Sequence, residues 1–162
     1  MLNDISQQVV EKLTELGQTL AVAESCTGGR LSAAITAVPG SSKVFLGGVV
    51  SYSDDVKEAL LDVSAETLRI HGAVSPETAR EMARGVQARL KADYGIGITG
   101  IAGPDGGTPT APVGMVYVAW AGPEEFSNVA RMRFPGDREQ VQQSSVELAL
   151  AGLMQRIGLI EL

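Results

Sequence analysis

The sequence predicts a single three-layer α/β/α domain over residues 1–162, in which one mixed sheet carries helices on both faces. Three observations lead there. Helical and strand-like stretches follow one another in the order helix, strand, helix, strand, helices, strand, strand, strand, helix. The last two strands are separated only by a short turn at Gly122-Pro123, which marks an antiparallel pair and makes the sheet mixed. A chain of 162 residues suits one domain, and at that size roughly 70% of the unfolded surface is buried, so no disulfide or metal staple is required.

The elements are justified in turn. Asn3 or Asp4 can cap a first helix whose apolar positions Ile5, Val9, Leu13 and Leu16 fit a 3.6 period, with Gly17 as its stop. TLAVAE (19–24) reads as a short buried strand, and TGGRLSAAITAV (27–38) as a helix ending at Pro39-Gly40. KVFLGGVVSY (43–52) is a strand whose glycine pair marks a bulge or a close approach. SDDVKEALL (53–61) is a short helix with Ser53 as cap and two aspartates in the first turn. SAETLRIHG (64–72) is a further short helix closed by Gly72.

Ser75 as cap and Pro76 at the first helical position open a helix through 75–95, with Glu77, Glu81, Arg80, Arg84 and Arg89 on a solvated face. YGIGITG (94–100) is a strand that runs into the irregular loop 100–114. Strands at 114–121 and 126–134 follow, and FPGDREQ (134–140) opens a final helix with Leu148, Ala151 and Ile157 on its inner side.

Composition narrows the function classes. With 19 acidic against 13 basic residues the net charge is −6, which argues against a broad nucleic-acid surface but leaves room for a phosphate pocket with one or two arginines. One cysteine excludes an internal disulfide and fits a reducing, cytoplasmic setting. No apolar run reaches the length of a membrane span, and the first residues lack the pattern of a signal peptide. One histidine and one cysteine, without CxxC or HExxH, make a zinc site improbable, so no metal or cofactor is expected.

The chemistry-bearing stretch is AESCTGG (23–29), where Ser25 and Cys26 stand side by side between a strand and a helix start. A serine there can expose its hydroxyl while nearby N–H groups receive a developing oxyanion. The structural alternative is that Ser25 or Thr27 only caps the helix and Cys26 fills space. His71, at a helix end, is the only imidazole, which leaves a lysine as the natural base for a serine nucleophile. Lys57, one turn into its helix and preceded by Tyr52, is the candidate, and works only with a depressed pKa. Asp54, three residues earlier, acts the other way, and an exposed Lys57 on a solvated face is the competing reading. The loop GITGIAGPDGGTPTAPVG is neither GxGxxG nor GxxxxGK[ST]; it offers the Thr99 hydroxyl and N–H groups from Gly100 to Gly103, or is a structural Ω-loop. Arg138, in FPGDR, falls near a helix start where a phosphate is attracted.

Together AESCTGG, GVVSYSDDVK, HGAVS, GITGIAGPDGGTPTAPVG and FPGDR resemble, in order and spacing, the C-terminal domain of the competence/damage-inducible CinA family, over residues 5–158. The resemblance implies a three-layer α/β fold with a mixed, mostly parallel sheet. It also implies hydrolysis of the carboxamide of nicotinamide mononucleotide to nicotinate mononucleotide and ammonia, without a cofactor. By motif position it implies Ser25 as nucleophile with Lys57 and Tyr52 as catalytic partners. Substrate contacts are then expected from Cys26, Thr27 and Gly28, from Thr99, Gly100, Ile101, Ala102 and Gly103, and from Arg138. Asp54 departs from the asparagine common at its position in the family, and would weaken binding of an anionic nucleotide if it lined the pocket. That feature favours a second reading, a nucleotide-binding module without turnover; an amidase for a different amide is a third. A homodimer contact through the glycine-rich loop and the 126–134 strand is the partner expectation. Longer members carry an N-terminal molybdopterin-binding-like domain whose activity is not carried over to these residues.

Overall fold

In the segment 20–24 every side chain is small or apolar apart from the terminal glutamate, and a strand of that kind is stable only when both its faces are covered. The computed structural model describes residues 2–158, and β1 (Leu20–Glu24) lies inside a five-stranded sheet ordered β2-β1-β3-β4-β5. β2 (Phe45–Val50), β1 and β3 (Tyr94–Gly100) pair in parallel, and β4 (Met115–Ala121) and β5 (Ser127–Arg133) follow as antiparallel neighbours. Four of the five strands therefore point the same way, and the mixed sheet of the expected fold is present.

The two faces differ in side-chain size, which sets how closely each helical layer sits. On one face Leu20, Val22, Tyr94, Ile96, Ile98, Val116, Val118 and Trp120 form a thick core with α1 (Leu2–Leu16), α2 (Arg30–Thr36) and α6 (Arg138–Gly158). Successive strand residues face opposite ways, so the other face carries Ala21, Ala23, Ala119 and Ala121, with Gly95 and Gly97 between them. α5 (Pro76–Leu90) presses onto this smooth face, flanked by α3 (Asp54–Leu61) and α4 (Ala65–His71). A Cβ at Gly97 would meet the Ala79 carbonyl oxygen at 2.6 Å, so only glycine permits this approach.

Several element ends differ from the sequence reading. Asn3 and Asp4 lie inside the first turn of α1, which already runs from Leu2, so they do not cap it. α2 starts at Arg30, because Gly28 (φ 58) and Gly29 (φ 102) hold residues 26–29 in a left-handed turn. α5 stops at Leu90 with Lys91 in the left-handed region, since residues from Tyr94 onward must extend to pair with Leu20. Ala151 is exposed: the inner stripe of α6 passes through Val146, Leu150, Leu153 and Ile157, and Ala151 falls off it. The glycine pair of β2 does mark an irregularity, the register shifting where Leu20 and Ala21 oppose Phe45 and Gly47.

Candidate active site

Ser25 directly follows β1, Ser51 and Tyr52 follow β2, and Thr99 stands one residue from the end of β3. Parallel pairing brings these three carboxyl ends to one edge of the sheet, where open α/β sheets gather ligand-binding groups.

The turn that presents Ser25 is held by a residue the sequence reading passed over. Glu24 is fully buried, and its carboxylate accepts hydrogen bonds from the Thr27 hydroxyl (2.6 Å), the Leu31 and Ser32 amides (2.9 Å each) and the Ser32 hydroxyl (2.8 Å). Two of the orphan N–H groups of α2 are thereby satisfied by a charged acceptor. Neither Ser25 nor Thr27 caps the helix; Glu24 does. Thr27 is fully buried with its hydroxyl directed to Glu24 and does not line the cavity, which corrects its expected place among the substrate contacts.

Lys57 enters from α3, whose cap is Ser53, accepting from the Val56 amide at 3.2 Å. Its side chain is 1% exposed, which rules out the solvated-face alternative. The amine nitrogen lies 3.1 Å from Ser25 Oγ, and donates to the Ser51 carbonyl at 2.7 Å and the Tyr52 carbonyl at 3.4 Å. A neutral amine has two hydrogens and one lone pair. With both carbonyls taking hydrogens, the lone pair is left to face the serine hydroxyl.

Burial holds the Lys57 pKa below its ordinary value of 10.5, with Asp54 and Cys26 pulling weakly the other way. Burial also pushes the Cys26 thiol up to about 12. Of the two adjacent candidates, the serine has a base at hydrogen-bond distance and the cysteine is held as a neutral thiol.

Around this pair lies a cavity of about 240 Å³. Of the expected contacts it takes in Cys26, Tyr52, Thr99, Gly100, Ile101, Ala102, Gly103 and Arg138. Gly28 lines an adjoining depression instead. The Thr99 hydroxyl donates to the Ala73 carbonyl at 2.8 Å. Arg138, at the first position of α6, donates to the Gly103 carbonyl at 2.7 Å and to the Tyr52 hydroxyl at 3.2 Å, closing the rim from the opposite side. The α6 start is fixed by reciprocal bonds between Asp137 and Gln140, at 2.8 and 2.9 Å.

Not every expected donor is available. The Ile101 amide donates to the Met115 carbonyl at 2.9 Å, so it cannot serve an oxyanion. Among the described residues the Cys26 amide has no backbone acceptor, and it follows Ser25 directly. His71 lies outside the cavity, with Nδ1 3.6 Å from a Glu77 carboxylate oxygen. Asp54 is exposed and also outside the lining. Sequence reasoning missed Ala73, Val74, Asp105 and Gly106 in the wall; the HGAVS stretch and the loop glycines were the available signals. It also missed Gln142, a buried α6 side chain whose amide donates to the Cys26 carbonyl at 3.0 Å and which no motif flagged. No group of three or more His, Cys, Asp or Glu able to hold a metal ion occurs among the described residues. No helix among them is long and apolar enough to cross a membrane.

Comparison with known proteins agrees with this arrangement of elements. The CinA C-terminal domain matches residues 2–157. A CinA-like protein of Parasynechococcus marenigrum is 51% identical over 158 residues, covering 96% of this chain and 37% of the relative. A CinA-like protein of Thermotoga neapolitana is 45% identical over 158 residues, covering 96% of this chain and 38% of the relative. The chain spans about a third of the length of such curated relatives. Among solved structures, a CinA superfamily protein from Klebsiella pneumoniae superposes with a TM-score of 0.93 at 39% identity, covering 98% of both chains. A competence/damage inducible protein from Agrobacterium tumefaciens gives 0.93 at 37% identity, covering 95% of this chain and 94% of that one.

Proposed function

We propose, from the premise that the chain belongs to the CinA C-terminal domain family, that its cavity hydrolyses the carboxamide of nicotinamide mononucleotide to nicotinate mononucleotide and ammonia. The observation that carries this reading is the Lys57 amine, buried and with its pKa lowered by that burial, 3.1 Å from the Ser25 hydroxyl.

Neutral Lys57 takes the Ser25 proton as Oγ bonds to the carboxamide carbon. The carbonyl oxygen gains the negative charge and is met by the Cys26 amide; losing one such donor typically costs about 10² to 10³ in rate. The proton held on Lys57 passes to the amide nitrogen, the C–N bond breaks, and ammonia leaves an acyl ester on Ser25. Water, deprotonated by Lys57, attacks that ester and releases the carboxylate. The 3.1 Å separation of Lys57 Nζ and Ser25 Oγ supports direct proton transfer, while the Tyr52 hydroxyl accepts from Arg138 at the exposed rim. Tyr52 and Arg138 form the rim, where they orient the bound nucleotide.

Asp54 stands outside the lining, so the binding-module reading loses the feature that favoured it. Incubating the purified protein with nicotinamide mononucleotide and measuring ammonia tests the proposal. Release that disappears in Ser25→Ala supports it; normal release in Ser25→Ala sinks the serine route, and no release from the native chain sinks the activity.

A further inference from the structure

The cavity is too small for a whole nucleotide. Its volume of about 240 Å³ lies below the roughly 300 to 1,000 Å³ of ordinary small-molecule sites, so it can take the ring and amide while the remainder projects outward. What lies outward is an open depression that shares Cys26, Tyr52 and Arg138 with the cavity and adds Gly28, Arg30 and Glu139.

Two guanidinium groups meet this depression from different elements, in a protein whose net charge is −6. Arg30 folds back over the left-handed turn, one nitrogen donating to the Thr27 carbonyl at 3.3 Å and lying 3.7 Å from where a Cβ on Gly28 would stand. Among the described residues its remaining N–H groups make no hydrogen bond. Among the described residues neither Arg30 nor Arg138 has a carboxylate within ion-pair distance. Glu139 is the one acidic side chain on the wall, leaving two positive charges against one negative. A phosphate monoester is the ligand chemistry that two neighbouring guanidinium groups fit, through charge-assisted hydrogen bonds from the N–H groups left over once Arg138 has donated to Gly103 and Tyr52 and Arg30 to Thr27.

We propose that this outer depression is the seat of the nucleotide's terminal phosphate, and that Arg30 is the residue by which the protein distinguishes a nucleotide from the corresponding nucleoside. The inference rests on the reading of the cavity as a carboxamide site. Arg138 stands on the wall between the two compartments, tied to Gly103 and Tyr52, and holds the ligand where ring and phosphate diverge. Arg30, exposed and linked to the catalytic turn only through the Thr27 carbonyl, touches the phosphate end alone.

The test is a calorimetric titration of Ser25→Ala protein, in which turnover is stopped, with nicotinamide mononucleotide and with nicotinamide riboside. Arg30→Gln is then added to the same background. The expected result is tighter binding of the nucleotide than the riboside, and a loss of about tenfold in that preference on Arg30→Gln, with riboside affinity unchanged. Inorganic phosphate, used as a competitor, displaces the nucleotide less effectively from the double variant. An unchanged preference, an equal fall for both ligands, or no preference to begin with overturns the proposal. The ammonia assay separates the two readings: a preference that depends on Arg30 in a chain that releases no ammonia keeps the phosphate seat and removes the amidase.

Discussion

Lys57 Nζ and Ser25 Oγ stand 3.1 Å apart, joined across 32 positions of sequence, with both side chains withdrawn from solvent. The amine can act as a base only while uncharged, and burial lowers its pKa from 10.5. Activity on nicotinamide mononucleotide therefore rises with pH and levels off with a midpoint below 10.5, read from kcat/KM against pH. Lys57→Met loses about 10² to 10⁴ of the rate, and so does Lys57→Arg, whose guanidinium cannot give up its proton. A Lys57→Met protein near the native rate would end the lysine-base mechanism.

The same depressed pKa enters the folding equilibrium. Between the lowered folded value and 10.5, the unfolded chain binds more protons at this site than the native one, so stability from Lys57 rises with pH there. The contribution is fully present above 10.5 and is lost as pH falls through the folded value. Denaturant unfolding of the native chain and Lys57→Met, compared across pH, shows the difference in favour of the native chain growing toward alkaline pH. A difference independent of pH would mean the amine titrates normally.

Cys26 lines the cavity, and the proposed mechanism gives its thiol no step. With its thiol pushed up to about 12 by burial, it stays protonated near neutral pH. Cys26→Ala keeps most of the activity, and alkylation of the native thiol by iodoacetamide is slow until the solution is strongly alkaline. Loss of turnover in a folded Cys26→Ala protein would transfer the nucleophile's role to sulfur.

Gln142 acts through Cys26. Its amide donates to the Cys26 carbonyl at 3.0 Å from a buried position on α6, fixing the peptide plane next to the nucleophile. Gln142→Ala lowers kcat about five- to tenfold, the loss of one buried hydrogen bond, while KM for nicotinamide mononucleotide stays near native. A shift in KM with kcat preserved would place Gln142 in ligand binding instead.

Gly97 tests the packing of the alanine-lined face. A methyl group there meets the Ala79 carbonyl at 2.6 Å and the Ala83 amide at 2.8 Å, both backbone atoms that cannot rotate aside. Gly97→Ala costs about 1 to 3 kcal/mol, measured as a lower denaturant midpoint by the fluorescence of the single tryptophan, Trp120. An unchanged midpoint would show that α5 can withdraw from the sheet at little cost.

The sequence was most legible where local rules and tertiary needs agree. Ser53, Ser64 and Ser75 each precede a helix and each accept a bond from the amide three residues on. Ser25, Lys57 and Arg138, which the structure brings to one cavity, stand out in the sequence as candidates because a hydroxyl, an amine and a guanidinium are distinct chemical types. Glu24 and Gln142 were not, since their importance comes from partners seven and 116 positions away that no local pattern announces. The α2 start was misread for a related reason: a glycine pair reads equally as the opening of a helix or as a left-handed turn, and the buried carboxylate decides for the turn. Ala151 shows the limit of choosing an inner stripe from three small or apolar residues on a long helix.

β1 and β2 meet as parallel neighbours: Ser25 directly follows β1, and Lys57 stands on α3, the helix that follows β2. A parallel pair cannot close as a hairpin; its crossover has to be laid down first. Recovery of the proposed turnover after dilution from denaturant is then a clock for that crossover.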